Sequence, residues 1–266
     1  MSYSNYNSRP VFLKFLGIFY TVWAFFWFIL ILLIHFPFHF IFLQKPEWKR
    51  YSHKLIRIWG QWLSFLIAMP VMVRYDFKPD KNGTYVFASN HFSYWDIASM
   101  GLIINNYYAF VGKASVKNIP LLGYVFTKLH IQVDRSEKES RAKSMSRAMR
   151  ALQKGRSMMM FVEGGIITRK PPQLAQTFKD GAFLMAIQNQ VPIVPITLLN
   201  NHQILWDEQL ILSRLPIRAI VHEPISTIGL KTSNLDELKE KTWNIIQNEL
   251  NKYHGISIEM DKTTRI

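Results

Sequence analysis

The chain has 266 residues, of which 49% are hydrophobic, and it carries a formal net charge of +14 with a sequence pI of about 9.9. This length suits one catalytic domain of about 200 residues with an accessory segment, and the basic bias predicts an anionic partner such as nucleic acid, acidic lipid or an acidic carrier protein. The chain has no cysteine, which excludes disulfides, zinc–thiolate sites and a cysteine nucleophile.

An uncharged apolar run at residues 15–43 predicts a membrane anchor within an N-terminal region 1–73, because about 20 apolar residues suffice to span a bilayer. The alternative is a buried helix of a soluble protein; a secretory signal would be shorter. Pro37 offers a break point, so either one tilted span ends near Phe36 or a helical hairpin returns to the same face. Basic residues on both flanks favour the hairpin, with the rest of the chain in the cytoplasm.

The next segment, residues 48–73, begins basic and ends apolar, and its aromatic residues are typical of the headgroup level of a membrane. We interpret residues 58–73 as an interfacial or buried helix, with an ordinary core helix as the alternative. Membrane association of this kind argues against nucleic acid as the partner. The sequence also has no groove-reading or RNA-binding motif.

After residue 73, short β-rich runs alternate with helical stretches, which predicts an α/β domain at residues 74–266 with a mostly parallel sheet flanked by helices. The predicted strands are residues 85–89, 107–112, 131–133, 157–162, 193–198 and 218–222. The predicted helices are residues 97–105, 121–129, 138–154, 181–189 and 234–253. In such folds, functional residues gather at the carboxyl ends of the strands.

His91 directly follows the first predicted strand of this domain, and Asp96 lies five residues further on. Five residues turn a helix about 140° away from the same face, so the side chains meet only if His91 lies in the strand-to-helix turn and Asp96 in the first helical turn. Ser93 is a candidate N-cap there, and Ser-x-x-Asp also fits a capping box. A catalytic pair and a simple helix cap are therefore both open.

A His–Asp pair in this turn suits acyl transfer. His91 would take the proton of an acceptor hydroxyl as that hydroxyl attacks an acyl thioester, and Asp96 would fix the tautomer and stabilise the imidazolium. A thioester is already activated, so the reaction needs no serine nucleophile. A hydrolase is the alternative, but the sequence contains no Gly-x-Ser-x-Gly.

Four ordered blocks resemble the glycerolipid acyltransferase family that includes 1-acylglycerol-3-phosphate acyltransferases. Together they cover about residues 85–198. The blocks are Asn90-His91-x-x-x-x-Asp96, then Val111-Gly112-Lys113 through Ile119-Pro120-Leu121-Leu122-Gly123 to Val133-Asp134-Arg135, then Phe161-Val162-Glu163-Gly164, and then Phe178-Lys179-Asp180-Gly181-Ala182 followed by Val191-Pro192-Ile193-Val194-Pro195.

The resemblance implies transfer of a fatty acyl group from acyl-ACP or acyl-CoA to the free sn-2 hydroxyl of lysophosphatidic acid, which makes phosphatidic acid in phospholipid biosynthesis. It implies that His91 and Asp96 are catalytic and that neither a cofactor nor a metal takes part. The expected location is a bacterial-type inner membrane, with the catalytic domain facing the cytoplasm. The residues implied to bind substrate are Asn90, Lys113, Arg135, Glu163, Gly164, Gly165 and Arg169.

The third block departs from the family pattern Phe-Pro-Glu-Gly-Thr-Arg. Val162 replaces the proline, and Ile166 stands where the family has a phosphate-binding arginine. Arg169 or Lys170 would have to reach the same place from a longer loop. Another lyso-lipid, such as an amino-acid lipid, therefore stays open as the acceptor, and a non-catalytic membrane-anchored lipid-binding protein is the alternative from a different class.

Several of these residues have a purely structural alternative. Glu163 could be an acid of a surface loop, Gly164 and Gly165 a simple turn, and Arg135 a partner of Asp134. In the predicted helix 138–154 we expect an apolar stripe to pack on the core and a basic stripe to be solvated or to meet anionic lipid or an acidic carrier protein. The two stripes are Met145, Met149 and Leu152, and Lys143, Arg147, Arg150 and Lys154. Candidates to line an acyl tunnel are Met69, Phe110 and Met158 to Met160.

Overall fold

The computed structural model describes residues 10–134, 136–167, 171–206 and 210–256. It begins with two helices, α1 (Val11–Phe42) and α2 (Lys49–Leu66), which a short 3₁₀ helix at Pro46–Trp48 connects. An α/β domain follows. Its helices are α3 (Trp95–Ile103), α4 (Leu122–Leu129), α5 (Lys138–Gln153), α6 (Gly181–Asn189), α7 (Asn201–Ile204) and α8 (Leu235–His254).

The strands of the domain form one large sheet and one small ribbon. The large sheet contains β1 (Val71–Tyr75), β2 (Val86–Ser89), β3 (Tyr108–Lys113), β4 (Ile131–Val133), β5 (Ser157–Phe161), β6 (Ile193–Leu198) and β9 (Ile217–Val221). Within the described residues these seven strands lie in the order β1-β9-β6-β2-β5-β3-β4, and each neighbouring pair is parallel except β6 and β9. The ribbon pairs β7 (Leu205–Trp206) with β8 (Ile211–Leu212). The predicted mostly parallel sheet is confirmed.

Helices cover both faces of the sheet because successive residues of a buried strand point to opposite sides. In β2, Val86 and Ala88 pack in a cluster with α5, α6 and α8. Phe87 faces the other way and packs in a cluster with residues of α3 and α4. All of β2 is buried, so the residues that follow it start from a rigid base.

The segment between α2 and the central strands differs from the prediction of one helix over residues 58–73. The helix α2 ends at Leu66, and β1 begins at Val71, directly after Pro70. An uncharged apolar run does not by itself distinguish a helix from a buried strand, and the proline marks the change. The expected domain boundary after residue 73 consequently falls inside β1.

The apolar N-terminal run is a single continuous helix with Pro37 inside it. A span that ends near Phe36 and a hairpin within residues 15–43 are therefore both wrong. The hairpin is instead formed by α1 and α2, which pack antiparallel: the Trp23 indole N–H donates to the Leu66 carbonyl at 3.3 Å, and His39 Nδ1 lies 2.7 Å from Ser52 Oγ at the other end. Among the described residues, α1 is the one helix long and apolar enough to cross a membrane.

A buried histidine in α7 makes the stability of the fold depend on pH. Burial lowers the pKa of His202 from 6.5 to about 3, and the charge of His254 acts in the same direction. Because the folded pKa lies below the unfolded one, stability is full above about pH 6.5 and decreases as the pH falls toward 3. Between pH 7.5 and 5.5, we expect this histidine to account for a loss of about 1 kcal/mol.

The measurement is denaturant unfolding in detergent at both pH values, for the wild type and for His202→Phe. The variant should lose about 1 kcal/mol less than the wild type over this interval, because phenylalanine takes up no proton. An equal loss in both proteins would contradict the assignment to His202.

Candidate active site

The turn between β2 and α3 is held by one carboxylate oxygen. Asp96, in the first turn of α3, is fully buried, and its Oδ2 accepts hydrogen bonds from His91 Nδ1 at 2.9 Å, Phe92 N at 2.7 Å and Ser93 N at 3.0 Å. The spacing of the two residues predicts His91 in the turn and Asp96 in the first helical turn, and the structure has both there. A single oxygen thus fixes the imidazole and folds the backbone around it.

The structure has the His91–Asp96 pair, whereas the capping box predicted with Ser93 as N-cap does not form. The Asp96 carboxylate reaches back to the Ser93 N–H, as the acid of a capping box does. Ser93 itself is not the N-cap, because α3 begins at Trp95 with Tyr94 in that position. The Ser93 hydroxyl oxygen instead accepts a hydrogen bond from Trp95 N at 3.2 Å.

The His91 ring is mostly buried, with 8% of the residue exposed. It stacks on Phe161, the last residue of β5, with ring centroids 4.0 Å apart and planes 12° from parallel. Within the described part of the chain, Nδ1 bonds to Asp96 and Nε2 has no hydrogen bond. A proton on Nδ1 leaves the lone pair on Nε2, which is the form that acts as a general base.

Glu163 lies behind His91 and is also fully buried. Its Oε1 accepts a hydrogen bond from His91 N at 2.8 Å, and its Oε2 accepts one from Ala175 N at 2.9 Å. Burial raises the pKa of this carboxyl group, and the two backbone hydrogen bonds oppose that rise. The surface-loop alternative is therefore wrong, and one carboxylate oxygen fixes the backbone of His91, whereas a contact with substrate stays a prediction.

Asn90 has a comparable place at the end of β2. Its side chain is fully buried, its Nδ2 donates to the Leu198 carbonyl at 2.9 Å, and its Oδ1 accepts from Leu198 N at 2.8 Å. These bonds join the ends of β2 and β6 in the way a backbone ladder would. Both polar groups of Asn90 are thus used within the protein, and its contact with substrate stays a prediction.

Of the remaining predicted site residues, those that the structure describes lie at the same edge of the sheet as His91. Lys113 is the exposed last residue of β3, and its charge contributes to the lowered pKa of Asp134 after two hydrogen bonds from Ser136. Gly164 and Gly165 follow β5, and Gly164 has φ +85°, a conformation that favours glycine. Arg135 and Arg169 lie outside the described residues.

The helix α5 confirms one of the two stripes. Leu152 is buried, and Met145 and Met149 pack against the same core cluster. On the basic stripe, Lys143 pairs with Glu139 at 2.6 Å, and both side chains are largely exposed. An exposed pair of this kind contributes little to stability. Arg147, Arg150 and Lys154 are also exposed, so the stripe carries positive charge at the surface.

An apolar groove opens where α2 meets β1. Its lining includes Phe65, Met69 and Leu102. A separate and much smaller cavity shares Met69 and Leu102 with the groove and is also lined by Trp95, the residue before Asp96. Of the expected tunnel residues, Met69 lines this groove. Phe110, Met158 and Met159 pack inside the core, and Met160 packs against it partly buried.

Some contacts at the site have no signal in the sequence. The stacking of Phe161 on His91 and the backbone amides of Ala175 and Leu198 depend on which strands are neighbours, and spacing along the chain does not give that. Among the described residues, no group of three or more His, Asp or Glu side chains is placed to hold a metal ion. The expectation that neither metal nor cofactor takes part stays a prediction.

Comparison with known proteins gives one family and several relatives. The family model described as Acyltransferase matches residues 72–199, which include β2, the His91–Asp96 turn and the end of β5. A chloroplastic 1-acyl-sn-glycerol-3-phosphate acyltransferase of Brassica napus is 28% identical over 205 residues, which is 76% of this chain and 58% of that protein. Its Arabidopsis thaliana counterpart is 28% identical over 188 residues, 70% of this chain and 52% of that protein.

A solved structure shares the fold. The crystal structure of the 1-acyl-sn-glycerophosphate acyltransferase of Thermotoga maritima superposes with a TM-score of 0.73 and covers 91% of this chain and 97% of its own, at 17% identity. At this identity the likeness shows the fold. This chain thus spans little more than half the length of the two plant relatives and nearly the whole of the bacterial structure.

The contacts of Glu163 predict a large effect for a small change. In Glu163→Gln, an NH₂ group replaces one of the two carboxylate oxygens that accept hydrogen bonds from backbone N–H groups. One buried N–H would therefore lose its acceptor, which lowers the free energy of unfolding by about 1–3 kcal/mol. We expect a clearly lower thermal unfolding midpoint than for the wild type. Glu223→Gln, at an exposed position, is the matched control. Equal midpoints for the two variants would show that Glu163 does not hold this turn.

Proposed function

We propose that this protein, whose residues 72–199 match the acyltransferase family model, transfers a fatty acyl group from acyl-ACP or acyl-CoA to the free sn-2 hydroxyl of lysophosphatidic acid, making phosphatidic acid. The observation that carries the proposal is the position of the His91 imidazole at the carboxyl ends of parallel strands. Its Nδ1 is hydrogen-bonded to Asp96, and its ring stacks on Phe161. The names of the two plant relatives support the acceptor, because both are 1-acyl-sn-glycerol-3-phosphate acyltransferases.

In the proposed reaction, His91 Nε2 takes the proton of the acceptor hydroxyl while the hydroxyl oxygen attacks the thioester carbonyl carbon. The carbon–sulfur bond then breaks, and the imidazolium returns the proton to the leaving thiolate, so the products are the ester and a free thiol. Asp96 stabilises the imidazolium through Nδ1. General-base catalysis of this kind contributes about 10²–10⁴-fold to the rate.

We divide the other predicted site residues into two groups, those that position His91 and those that bind the acceptor. We assign Asn90 and Glu163 to positioning, because their polar atoms bond to backbone groups around His91. We assign Lys113, Gly164 and Gly165 to acceptor binding at the rim, together with Arg135 and Arg169 from outside the described residues. The groove between α2 and β1 is the proposed place for an acyl chain, since its lining is mostly apolar and the small cavity beside it is lined by Trp95.

The proposed location is a bacterial-type inner membrane, with the catalytic domain facing the cytoplasm. The exposed face of α1 is apolar along its length, as Phe12, Phe19, Phe26, Leu33 and Ile41 illustrate. Because α1 is packed against α2, a full crossing would draw the basic residues of α2 into hydrocarbon, at about 2.5–3.5 kcal/mol for each one near the centre. The hairpin therefore suits entry from one face, with the basic stripe of α5 available to anionic lipid or to an acidic carrier protein.

A second acceptor remains a candidate on one specific observation. Ile166 occupies the position where the resembling family has a phosphate-binding arginine. A lyso-lipid with another headgroup, such as an amino-acid lipid, would not need that arginine. Both acceptors use the same proton transfer at His91.

The mechanism predicts a loss of activity when either His91 or Asp96 is replaced. In the purified protein with acyl-CoA and lysophosphatidic acid, we expect His91→Ala to lose about 10²–10⁴-fold in kcat. Asp96→Asn should also lose activity, because an amide cannot stabilise the imidazolium. The control is His254→Gln, which changes a histidine of α8 outside the turn. Full activity of His91→Ala would overturn the mechanism.

The membrane proposal predicts a loss of binding from changes on one face of α1. We expect the double variant Phe19→Asp and Phe26→Asp to float with lipid vesicles much less than the wild type, because both side chains are more than half exposed and apolar. Ile228→Asp is the control, since Ile228 is 79% exposed but lies in a loop after β9. Equal flotation of the double variant and the control would contradict the orientation.

A further inference from the structure

Lys179 has no role in the mechanism above, although its backbone is fixed close to His91. It lies in the segment before α6, and its N–H donates to the Val162 carbonyl at 2.8 Å. The residue after Val162 is Glu163, which accepts the hydrogen bond of the His91 amide. Val162 N in turn donates to the Ser89 carbonyl at 3.0 Å, so this lysine is attached to the edge of the sheet that carries the imidazole.

The side chain of Lys179 lies over Gly164. A Cβ atom added at Gly164 would lie 2.9 Å from Lys179 Cγ and 3.3 Å from its Cε, which is closer than such atoms approach without a shift. Two features therefore favour glycine at position 164: its φ of +85° and the lysine stem, which occupies the space that a Cβ atom would need. The turn after β5 and the lysine together form one surface at the rim of the site.

The charge of Lys179 is not neutralised by a carboxylate among the described residues. The adjacent acid, Asp180, is paired with Lys239 at 2.8 Å. Lys179 is exposed, whereas Lys113 on the neighbouring strand shares its surroundings with Asp134. At the position where the family pattern has an arginine, this chain has the aliphatic Ile166.

We propose that the Lys179 ammonium binds the phosphate of the lyso-lipid acceptor and supplies a positive charge that Ile166 cannot. This inference rests on the proposed acyl transfer to a phosphate-bearing acceptor. A lysine offers a compact charge with three rotatable donors on a flexible stem, which suits a terminal phosphate approached from one side. The aliphatic stem of Lys179 lies over Gly164, so its charge is beside the turn after β5. The residue before Gly164 in that turn, Glu163, accepts the hydrogen bond of the His91 amide.

The test compares an acceptor that has a phosphate with one that does not. Initial rates are measured for lysophosphatidic acid and for monoacylglycerol with acyl-CoA, in detergent micelles. Lys179→Met keeps the aliphatic stem and removes the charge. We expect its KM for lysophosphatidic acid to rise about tenfold or more, with kcat and the rate on monoacylglycerol little changed. Lys179→Arg should keep most of the wild-type KM.

The control is Lys81→Met, an exposed lysine before β2, at the opposite end of that strand from His91. It should leave both acceptors unaffected. The inference is overturned if Lys179→Met leaves the KM for lysophosphatidic acid unchanged, slows both acceptors equally, or raises the KM for acyl-CoA instead.

A binding measurement separates this inference from the proposed function. Wild-type turnover of lysophosphatidic acid tests the function, whereas equilibrium binding of the same lipid tests the lysine without turnover. We expect the wild type to bind lysophosphatidic acid more tightly than monoacylglycerol and Lys179→Met to lose that preference. If the wild type shows the preference and Lys179→Met loses it, but the wild type gives no turnover, the function fails and the lysine assignment stands. A preference that persists in Lys179→Met refutes the lysine assignment.

Discussion

Oδ2 of Asp96 is the atom on which the arrangement of the site depends, because it accepts three hydrogen bonds in a turn of only a few residues. Two of these come from backbone amides and shape the turn, and the third comes from the imidazole. The carboxylate is fully buried, so these bonds are not shared with bulk solvent. Helix start, turn and ring orientation are therefore one structural unit, and a change at Asp96 affects all three.

The sheet order supplies the rest of the support. β2 lies between β5 and β6, so the residue that precedes His91 can reach β6 while Glu163 approaches from the end of β5. Phe161 adds a ring face parallel to the imidazole. Each neighbour therefore restrains a different part of His91: Asn90 the preceding backbone, Glu163 its amide, and Phe161 its ring.

Periodicity and motif spacing gave the central strands and the place of the His–Asp pair. Three features needed the tertiary structure. Pro37 does not end α1, because the helix stays packed against α2 on both sides of the proline. The strand β1 resembles the end of an apolar helix until its pairing with β9 is known. Asn90 and Glu163 are polar residues of two motif blocks, and the sequence does not show that both side chains are buried and bonded to backbone groups.

The central claim is that Asp96 holds the proton of His91 on Nδ1 and leaves Nε2 unprotonated. Nitrogen-15 NMR of histidine-labelled protein in detergent micelles, at a pH where His91 is neutral, reads this tautomer directly, with the His91 signals assigned by comparison with His91→Ala. The account predicts a protonated Nδ1 and an unprotonated Nε2 in the wild type, and loss of this preference in Asp96→Asn. A proton on Nε2 of the wild-type residue would contradict it.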